Sequence, residues 1–182
     1  MGGGRRVLAV VGVLAVALSG CAAEFSGRAA NGHAAGRAEE DGSIPDNGSI
    51  ALSEVGHAAI RKLDPDLLAA VRKAAEDARA AGVELRVTSG WRSKPYQQRL
   101  LDDAVTRYGS LAEARRLVST PETSKHVVGQ AIDIGPTDAA DWLVRNGAEY
   151  GLCQTYANEM WHFELSTTPG GQCPVPRSDA SG

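Results

Sequence analysis

The spacing of apolar residues changes along the chain and predicts an alternation of helices and strands. After Asp64 and Pro65, apolar residues recur every three or four positions up to Gly82, which predicts a helix with a capped start. Residues 83–88 then alternate apolar and polar side chains, the period of a strand. Later segments predict helices over 95–108, from Ser110 onward and over 138–149, and strands in the second half of 124–134 and near 152–156 and 161–165.

Helices come first in this order and most strands come later. The pattern therefore predicts an α+β domain, in which helices pack around a small antiparallel sheet. A doubly wound fold would need more strand–helix–strand repeats. The sequence also lacks a Gly-rich phosphate loop after a strand, a GxSxG motif and a helical HExxH motif, which argues against the commonest nucleotide-binding, serine-hydrolase and zincin classes.

The first twenty residues differ in character from the rest. Arg5 and Arg6 precede an apolar stretch over residues 7–18, which is too short to span a bilayer. Small residues then lead to Cys21, so residues 1–20 resemble a bacterial lipoprotein signal peptide, with a simple secretory signal as the alternative. The resemblance implies that Cys21 is lipidated and that the protein is exported and anchored to the outer face of the bacterial cell membrane.

Composition divides the remainder into three parts. Residues 21–49 are rich in Gly, Ala, Ser and charged residues without an apolar period, which predicts a flexible tether after the lipidated cysteine. The folded domain is predicted over 50–168, and an irregular Pro/Gly-rich tail over 169–182. We expect a monomer.

The three cysteines make an odd count until Cys21 is assigned to the lipid. Cys153 and Cys173 then remain as an even pair in an oxidising compartment, so we predict a disulfide between them that pins the tail.

Overall composition suits one soluble domain, with 23% charged and 43% hydrophobic residues in a chain of 182. Lys and Arg number 19 against 22 Asp and Glu, and no basic block stands out. Nucleic-acid binding usually requires a basic face or stripe, so we expect no nucleic-acid partner.

Three potential metal ligands are spread over the second half of the chain: His126, Asp133 and His162. Two imidazoles and one carboxylate would leave Zn²⁺ an open fourth position for water, which is a catalytic composition, whereas structural zinc sites are usually closed and rich in cysteine. Glu159 precedes His162 by three residues and can lie beside the metal without binding it. The sequence therefore predicts one catalytic Zn²⁺ per chain.

Three motifs carry a family resemblance: SGWRS at 89–93, SKHVVGQAID at 124–133 and EMWH at 159–162. Together they resemble the signatures of the VanY/VanX group of zinc D,D-peptidases, and the VanY-type carboxypeptidases most closely. The resemblance spans roughly residues 63–165 and implies the fold that these peptidases share with the hedgehog signalling domain.

The resemblance also implies a role for each matched side chain. It implies that the three predicted ligands bind zinc, that Glu159 acts as general base and acid, and that Arg92 stabilises the oxyanion. Ser124 is implied to hold the substrate, with a loop hydroxyl that caps a nearby backbone group as the alternative. Other possible anchors for a substrate carboxylate are Arg86, Arg99 and Lys125, for each of which a solvated surface charge is the simpler interpretation.

The implied function is a cell-envelope zinc metallopeptidase that removes the terminal D-alanine from peptidoglycan stem peptides. Export argues against a D-Ala-D-Ala dipeptidase, which would be expected in the cytoplasm. An L,D-carboxypeptidase or a peptidoglycan endopeptidase stays open, because the QTYAN stretch at 154–158 is shorter than the loop of many carboxypeptidase relatives. Met160 stands where many relatives have Pro, a change that we expect activity to survive. A zinc-binding pseudoenzyme is disfavoured by the presence of both Glu159 and Arg92, and a pure wall binder by the lack of a wall-binding repeat.

Overall fold

The computed structural model describes residue 1 and residues 40–181. The predicted lipidation site Cys21 and residues 2–39 of the predicted signal peptide and tether lie outside the described residues. Within the described part, no helix combines the length and the apolar character needed to cross a membrane.

Helices and strands follow one another much as the apolar pattern predicts. In chain order they are α1 (Ala58–Arg61), α2 (Pro65–Ala80), β1 (Arg86–Ser89), α3 (Lys94–Tyr108), α4 (Leu111–Arg115), β2 (Ala131–Gly135), α5 (Thr137–Asn146), a 3-10 turn (Gly147–Tyr150), β3 (Leu152–Gln154) and β4 (His162–Leu165). The strands form one antiparallel four-stranded sheet in the order β1-β2-β4-β3. The α+β prediction is confirmed.

Side-chain caps set the starts of the predicted helices α2, α3 and α4. The Asp64 carboxylate accepts from the backbone N–H groups of Asp66 and Leu67 at the start of α2. Ser93 and Ser110 accept in the same way from the third residue after them, at the starts of α3 and α4. Each cap satisfies backbone donors that have no partner inside the helix, so the predicted starts hold within one residue.

Two predicted elements are shorter in the structure than in the sequence pattern. The strand predicted from residue 83 begins at Arg86, because the N–H of Val83 bonds back to the carbonyl of Ala78 in α2. The last helix ends at Asn146 instead of residue 149, where the backbone of Gly147 lies against the carbonyl of Leu152. Both ends are decided by contacts with another element.

The core lies between the sheet and helices α2 and α5. One face of the sheet supplies side chains such as Ile132, Ile134 and Phe163, and α2 covers them with Leu67 and Val71. All five side chains are buried to 1% exposure or less. This packing fixes β2 and β4 side by side at the centre of the sheet.

The packed domain begins earlier than the predicted boundary at residue 50. Ile44 is buried in the main core, and Ile50 pairs with Val87 through two backbone hydrogen bonds of 2.9 Å. Asp41 accepts the backbone N–H of Ser93 through its own carbonyl. Residues 41–49 are therefore part of the folded unit and do not belong to the tether. The sequence could not indicate this, because the apolar residues of the segment are isolated and show no period.

The tail after residue 168 has no helix or named strand in the described residues up to 181. The disulfide between Cys153 and Cys173 is confirmed, with Cα atoms 5.6 Å apart. It joins the start of the tail to β3. Beyond it, Arg177 forms an isolated parallel bridge with Tyr156.

Candidate active site

The two central strands bring the predicted metal ligands together. Asp133 of β2 and His162 of β4 are direct partners in the antiparallel register. His126 comes from the turn before β2, and its Nδ1–H donates to the carbonyl of Gly90 at 2.8 Å. A Cβ at Gly90 would lie 2.1 Å from the carbonyl oxygen of Ala59, so this position in the SGWRS motif needs glycine for steric reasons.

The three predicted ligands converge on one point. Nδ1 of His162 lies 3.0 Å from Oδ1 of Asp133 and 3.2 Å from Nε2 of His126. Nε2 of His126 lies 3.3 Å from the same Asp133 oxygen. All three side chains are buried, and among the described residues they form the one cluster of His, Cys, Asp and Glu side chains with metal-binding spacing.

This donor set fits Zn²⁺. Zinc bonds to imidazole nitrogen and carboxylate oxygen are about 2.0–2.1 Å long, which separates neighbouring ligand atoms of a tetrahedral site by about 3.3 Å. The observed separations of 3.0–3.3 Å are close to that value. Only three protein ligands are present in the cluster, so a tetrahedral ion would keep a fourth position for water or substrate.

A second hydrogen bond sets the orientation of each imidazole ring. Because the carbonyl of Gly90 can only accept, His126 carries its hydrogen on Nδ1 and presents Nε2 to the cluster. His162 presents Nδ1, since its Nε2 lies 3.1 Å from Oε1 of the buried Glu164. Glu164 was not predicted as a site residue, although its position two residues after His162 on a strand places it on the same face.

Buried charges near the cluster shift the pKa of each ligand. Burial and Arg92 lower the pKa of His126 to about 4, so this imidazole is neutral at pH 7. Burial alone would raise the pKa of Asp133, but His126, His162 and Arg92 hold it well below its usual range. Burial opposes protonation of His162, but bonds to Asp133 and Glu164 raise its pKa to about 9, so a metal ion competes there with a proton.

Glu159 lies beside the cluster without belonging to it. Its Oε2 is 3.9 Å from Nδ1 of His162, and its Oε1 is buried with no hydrogen-bond partner among the described residues. Burial raises the pKa of this carboxyl to about 7. A buried carboxylate with an unused oxygen and a pKa near neutrality is well suited to exchange a proton with a bound molecule.

Every donor nitrogen of Arg92 has a defined partner. Nη2 donates to Oδ2 of Asp133 at 2.9 Å, Nη1 to Oε1 of Gln97 at 3.1 Å, and Nε to Oγ of Ser89 at 2.7 Å. Gln97 is 1% exposed and was missed by the sequence analysis. Its only signal was a polar residue on the inner face of α3. Arg92 is thus a rigid cation beside a metal ligand.

A cavity of about 500 Å³ opens over these groups. The predicted site residues that line it are Arg92, Ser124, His126, Asp133, Glu159 and His162. Of the possible carboxylate anchors, Lys125 lines the cavity. Arg86 instead donates to Ser49, and Arg99 forms an ion pair with Asp41, so these two side chains make their contacts outside the cavity.

The aromatic residues Tyr108, Tyr156 and Trp161 also line this cavity. The ring of Tyr156 lies 5.0 Å from that of His162, and Trp161 is 44% exposed at the edge. Tyr156 was not predicted, because nothing in the short stretch between β3 and Glu159 distinguishes it from a core tyrosine.

Comparison with known proteins decides the family. Residues 60–168 match the family model of VanY, D-alanyl-D-alanine carboxypeptidase, which covers more than half of the chain. The chain belongs to the VanY family. A D-alanyl-D-alanine carboxypeptidase of Enterococcus faecalis is 32% identical over 111 residues, which are 47% of this chain and 41% of that protein. The bifunctional D-Ala-D-Ala dipeptidase and carboxypeptidase VanXYC of Enterococcus gallinarum is 28% identical over 52% of this chain and 63% of its own length.

Solved structures support the assignment to the VanY fold. The vancomycin resistance D,D-pentapeptidase VanY in complex with Zn(II) is similar at a TM-score of 0.53 and 27% identity, over 60% of this chain and 73% of that one. The L,D-carboxypeptidase LdcB is similar at a TM-score of 0.50 and 25% identity, over 56% and 58%. This chain spans less than two thirds of the length of both curated relatives.

Proposed function

We propose that this VanY-family protein is a zinc-dependent D,D-carboxypeptidase that removes the terminal D-alanine from peptidoglycan stem peptides. The observation that carries the proposal is the buried Glu159 carboxylate, whose Oε1 has no partner among the described residues, beside a three-ligand cluster with zinc spacing. A site with only a structural metal would have no use for a second, unligated acid. The zinc-bound VanY structure supports the choice of metal.

The chain's own side chains divide the chemistry between them. A bound Zn²⁺ supplies Lewis-acid activation of water and of the scissile carbonyl. Glu159 takes the proton of the attacking water and returns it to the leaving amine. Arg92, held by three partners, places positive charge where the carbonyl oxygen becomes negative, and the buried Ser124 hydroxyl holds the peptide in the same cavity.

The proposed location is the outer face of the bacterial cell membrane, with Cys21 as the lipidated residue. The Cys153–Cys173 disulfide supports export, because such bonds persist in oxidising compartments. Export would put the enzyme beside the stem peptides of the wall, as a monomer with one Zn²⁺.

An L,D-carboxypeptidase is the second candidate, and the similarity to LdcB favours it specifically. The two activities differ in the residue before the scissile bond: a D,D-enzyme cuts pentapeptide stems, and an L,D-enzyme cuts tetrapeptide stems. The ligand cluster and Glu159 would serve both reactions equally.

The test is mass spectrometry of purified pentapeptide and tetrapeptide muropeptides after incubation with the zinc-loaded full chain. We expect loss of one alanine from pentapeptide, and no loss with Glu159→Gln, which removes the base but leaves the ligands. Glu122→Gln, an exposed carboxylate outside the cavity, is the matched control and should retain wild-type rates. Cleavage of tetrapeptide alone would reassign the enzyme as an L,D-carboxypeptidase. A zinc-loaded protein that cuts neither substrate would contradict the proposal.

A further inference from the structure

Residues 173–181, here called the strap, lie beyond the part of the chain that matches the VanY family model. The strap is covalently fixed at its start by the bond from Cys173 to Cys153 in β3. It has no helix or strand of its own, so its course is determined by contacts with the rest of the domain. Those contacts reach two segments that line the cavity.

On one side the strap binds the segment that leads from β3 towards Glu159. The N–H of Arg177 donates to the carbonyl of Thr155 at 2.9 Å, and the N–H of Ala157 donates back to Arg177 at 2.7 Å. The Arg177 guanidinium lies 4.8 Å over the ring of Tyr156, and its Nη2 donates to the phenol oxygen at 3.2 Å. Tyr156 in turn packs against His162.

On the other side the strap binds the segment that follows α4. Oδ2 of Asp179 accepts from Nε of Arg116 at 3.1 Å, and the N–H of Ala180 donates to the Arg116 carbonyl at 3.2 Å. The Ser119 hydroxyl donates to the carbonyl of Ala180 at 3.4 Å. Ser119 lines the cavity, and its carbonyl accepts from Gln97, the residue that holds Arg92.

The strap thus joins two segments that both line the cavity, and Ala180 lines that cavity itself. The two segments also meet directly, through the exposed bond from Asn158 Nδ2 to the Arg116 carbonyl at 3.0 Å and through a side-chain hydrogen bond from Ser119 to Tyr156. The strap adds a covalently anchored link to this direct contact.

We propose that the strap is a substrate-binding element of the cleft: Arg177 and Asp179 hold in place the two segments that line it, and Ala180 limits its width. The inference rests on the proposed function, because it takes a stem peptide as the occupant. A cleft whose walls are held before binding loses less conformational entropy when the peptide enters, which strengthens binding without touching the reacting atoms. Arg177 and Asp179 are positioning residues in this account.

Two variants change the strap in different ways. The double variant Arg177→Ala/Asp179→Ala removes both side-chain links, whereas Ala180→Phe leaves the links in place and fills part of the cleft. Val175→Ala is the matched control, because Val175 is 91% exposed on the same strap. Ala180→Ser is the conservative replacement and should behave like the wild type.

The first readout is steady-state kinetics with pentapeptide on zinc-loaded full chain. We expect KM to rise about tenfold in the double variant and in Ala180→Phe, with kcat changed less than about twofold, because ground-state binding is lost and the chemistry is not. Zinc stoichiometry should stay at the wild-type value in every variant. A general structural defect would lower kcat and zinc content as well.

The second readout is calorimetric binding of pentapeptide to the same variants in a zinc-loaded Glu159→Gln background, which needs no turnover. A similar loss of affinity there would support the strap as a cleft wall. If the wild type cuts pentapeptide but Ala180→Phe matches Val175→Ala in both readouts, the strap inference is wrong and the proposed function stands. If the parent protein neither cuts nor binds pentapeptide, the proposed function and the cleft wall are both contradicted.

Discussion

Nε2 of His162 donates to Oε1 of Glu164 over 3.1 Å, between two buried side chains of the same strand. The two residues are two positions apart in the sequence and lie on the same face of β4, so the backbone itself holds the pair. With its Nε2 hydrogen committed to Glu164, His162 turns Nδ1 towards Asp133 and His126. The carboxylate therefore selects which nitrogen is available to a metal.

Replacing this carboxylate should weaken zinc binding without removing a ligand. We expect Glu164→Gln to lower zinc affinity about 10- to 100-fold, the usual cost of losing a carboxylate behind a ligating histidine. Chelator competition measures the affinity directly. Glu113→Gln, on the exposed face of α4, is the control. An unchanged zinc affinity in Glu164→Gln would show that the ring orientation does not depend on this carboxylate.

Metal removal should lower the thermal stability of the whole domain. An ion that binds only the folded state adds free energy of unfolding, about 4 kcal/mol when free zinc is 1,000 times its Kd. We expect chelation to reduce Tm and added zinc to restore it, whereas His126→Ala should show neither response. His57→Asn is the control, because His57 caps α1 through a side-chain acceptor that Asn can replace. A zinc-dependent Tm in His126→Ala would mean that the ligand set is different.

Gly90 should tolerate no side chain. A Cβ there would lie 2.1 Å from the carbonyl oxygen of Ala59, a backbone atom that cannot rotate away. We expect Gly90→Ala to reduce the free energy of unfolding by about 2 kcal/mol or more, by overpacking. It should also displace the carbonyl that orients His126. Urea unfolding measures the stability, with Gly56→Ala as the control, since its Cβ would meet no atom within 4 Å. Equal midpoints for both variants would contradict the clash.

Tyr150 should make the domain sensitive to alkaline pH. Burial and the 2.7 Å bond to Asp77 raise the pKa of its hydroxyl to about 12. An unfolded tyrosine ionises near pH 10, so from about pH 10 to 12 ionisation favours the unfolded chain and stability falls. Below pH 10 both states hold the proton, and this contribution is constant.

Tyr150→Phe tests both parts of that statement. Loss of the hydrogen bond should cost about 1 kcal/mol at pH 7. The variant should then lose less stability than the wild type as the pH rises above 10, as followed by urea midpoints at each pH. Tyr108→Phe changes an exposed tyrosine and should follow the wild-type curve. Parallel curves for Tyr150→Phe and the wild type would rule out the raised pKa.

Local signals in the sequence determined the helix starts, the ligand set and the disulfide. Asp64, Ser93 and Ser110 act on backbone groups within three residues, so a cap can be recognised without knowledge of the fold. The three candidate metal ligands were recognisable because metal chemistry restricts ligands to few residue types, here in ordered motifs. The cysteine pair followed from parity once Cys21 was assigned elsewhere.

Only the tertiary structure decided which side chains support those ligands and which segments line the cavity. Gln97, Glu164 and Tyr156 are ordinary polar or aromatic positions until the sheet brings them beside Arg92 and His162. The early domain start at residues 41–49 and the path of the strap rest on contacts between segments far apart in the chain. Such contacts leave no periodic trace in the sequence, because each involves one or two side chains and a backbone group whose position the rest of the fold sets.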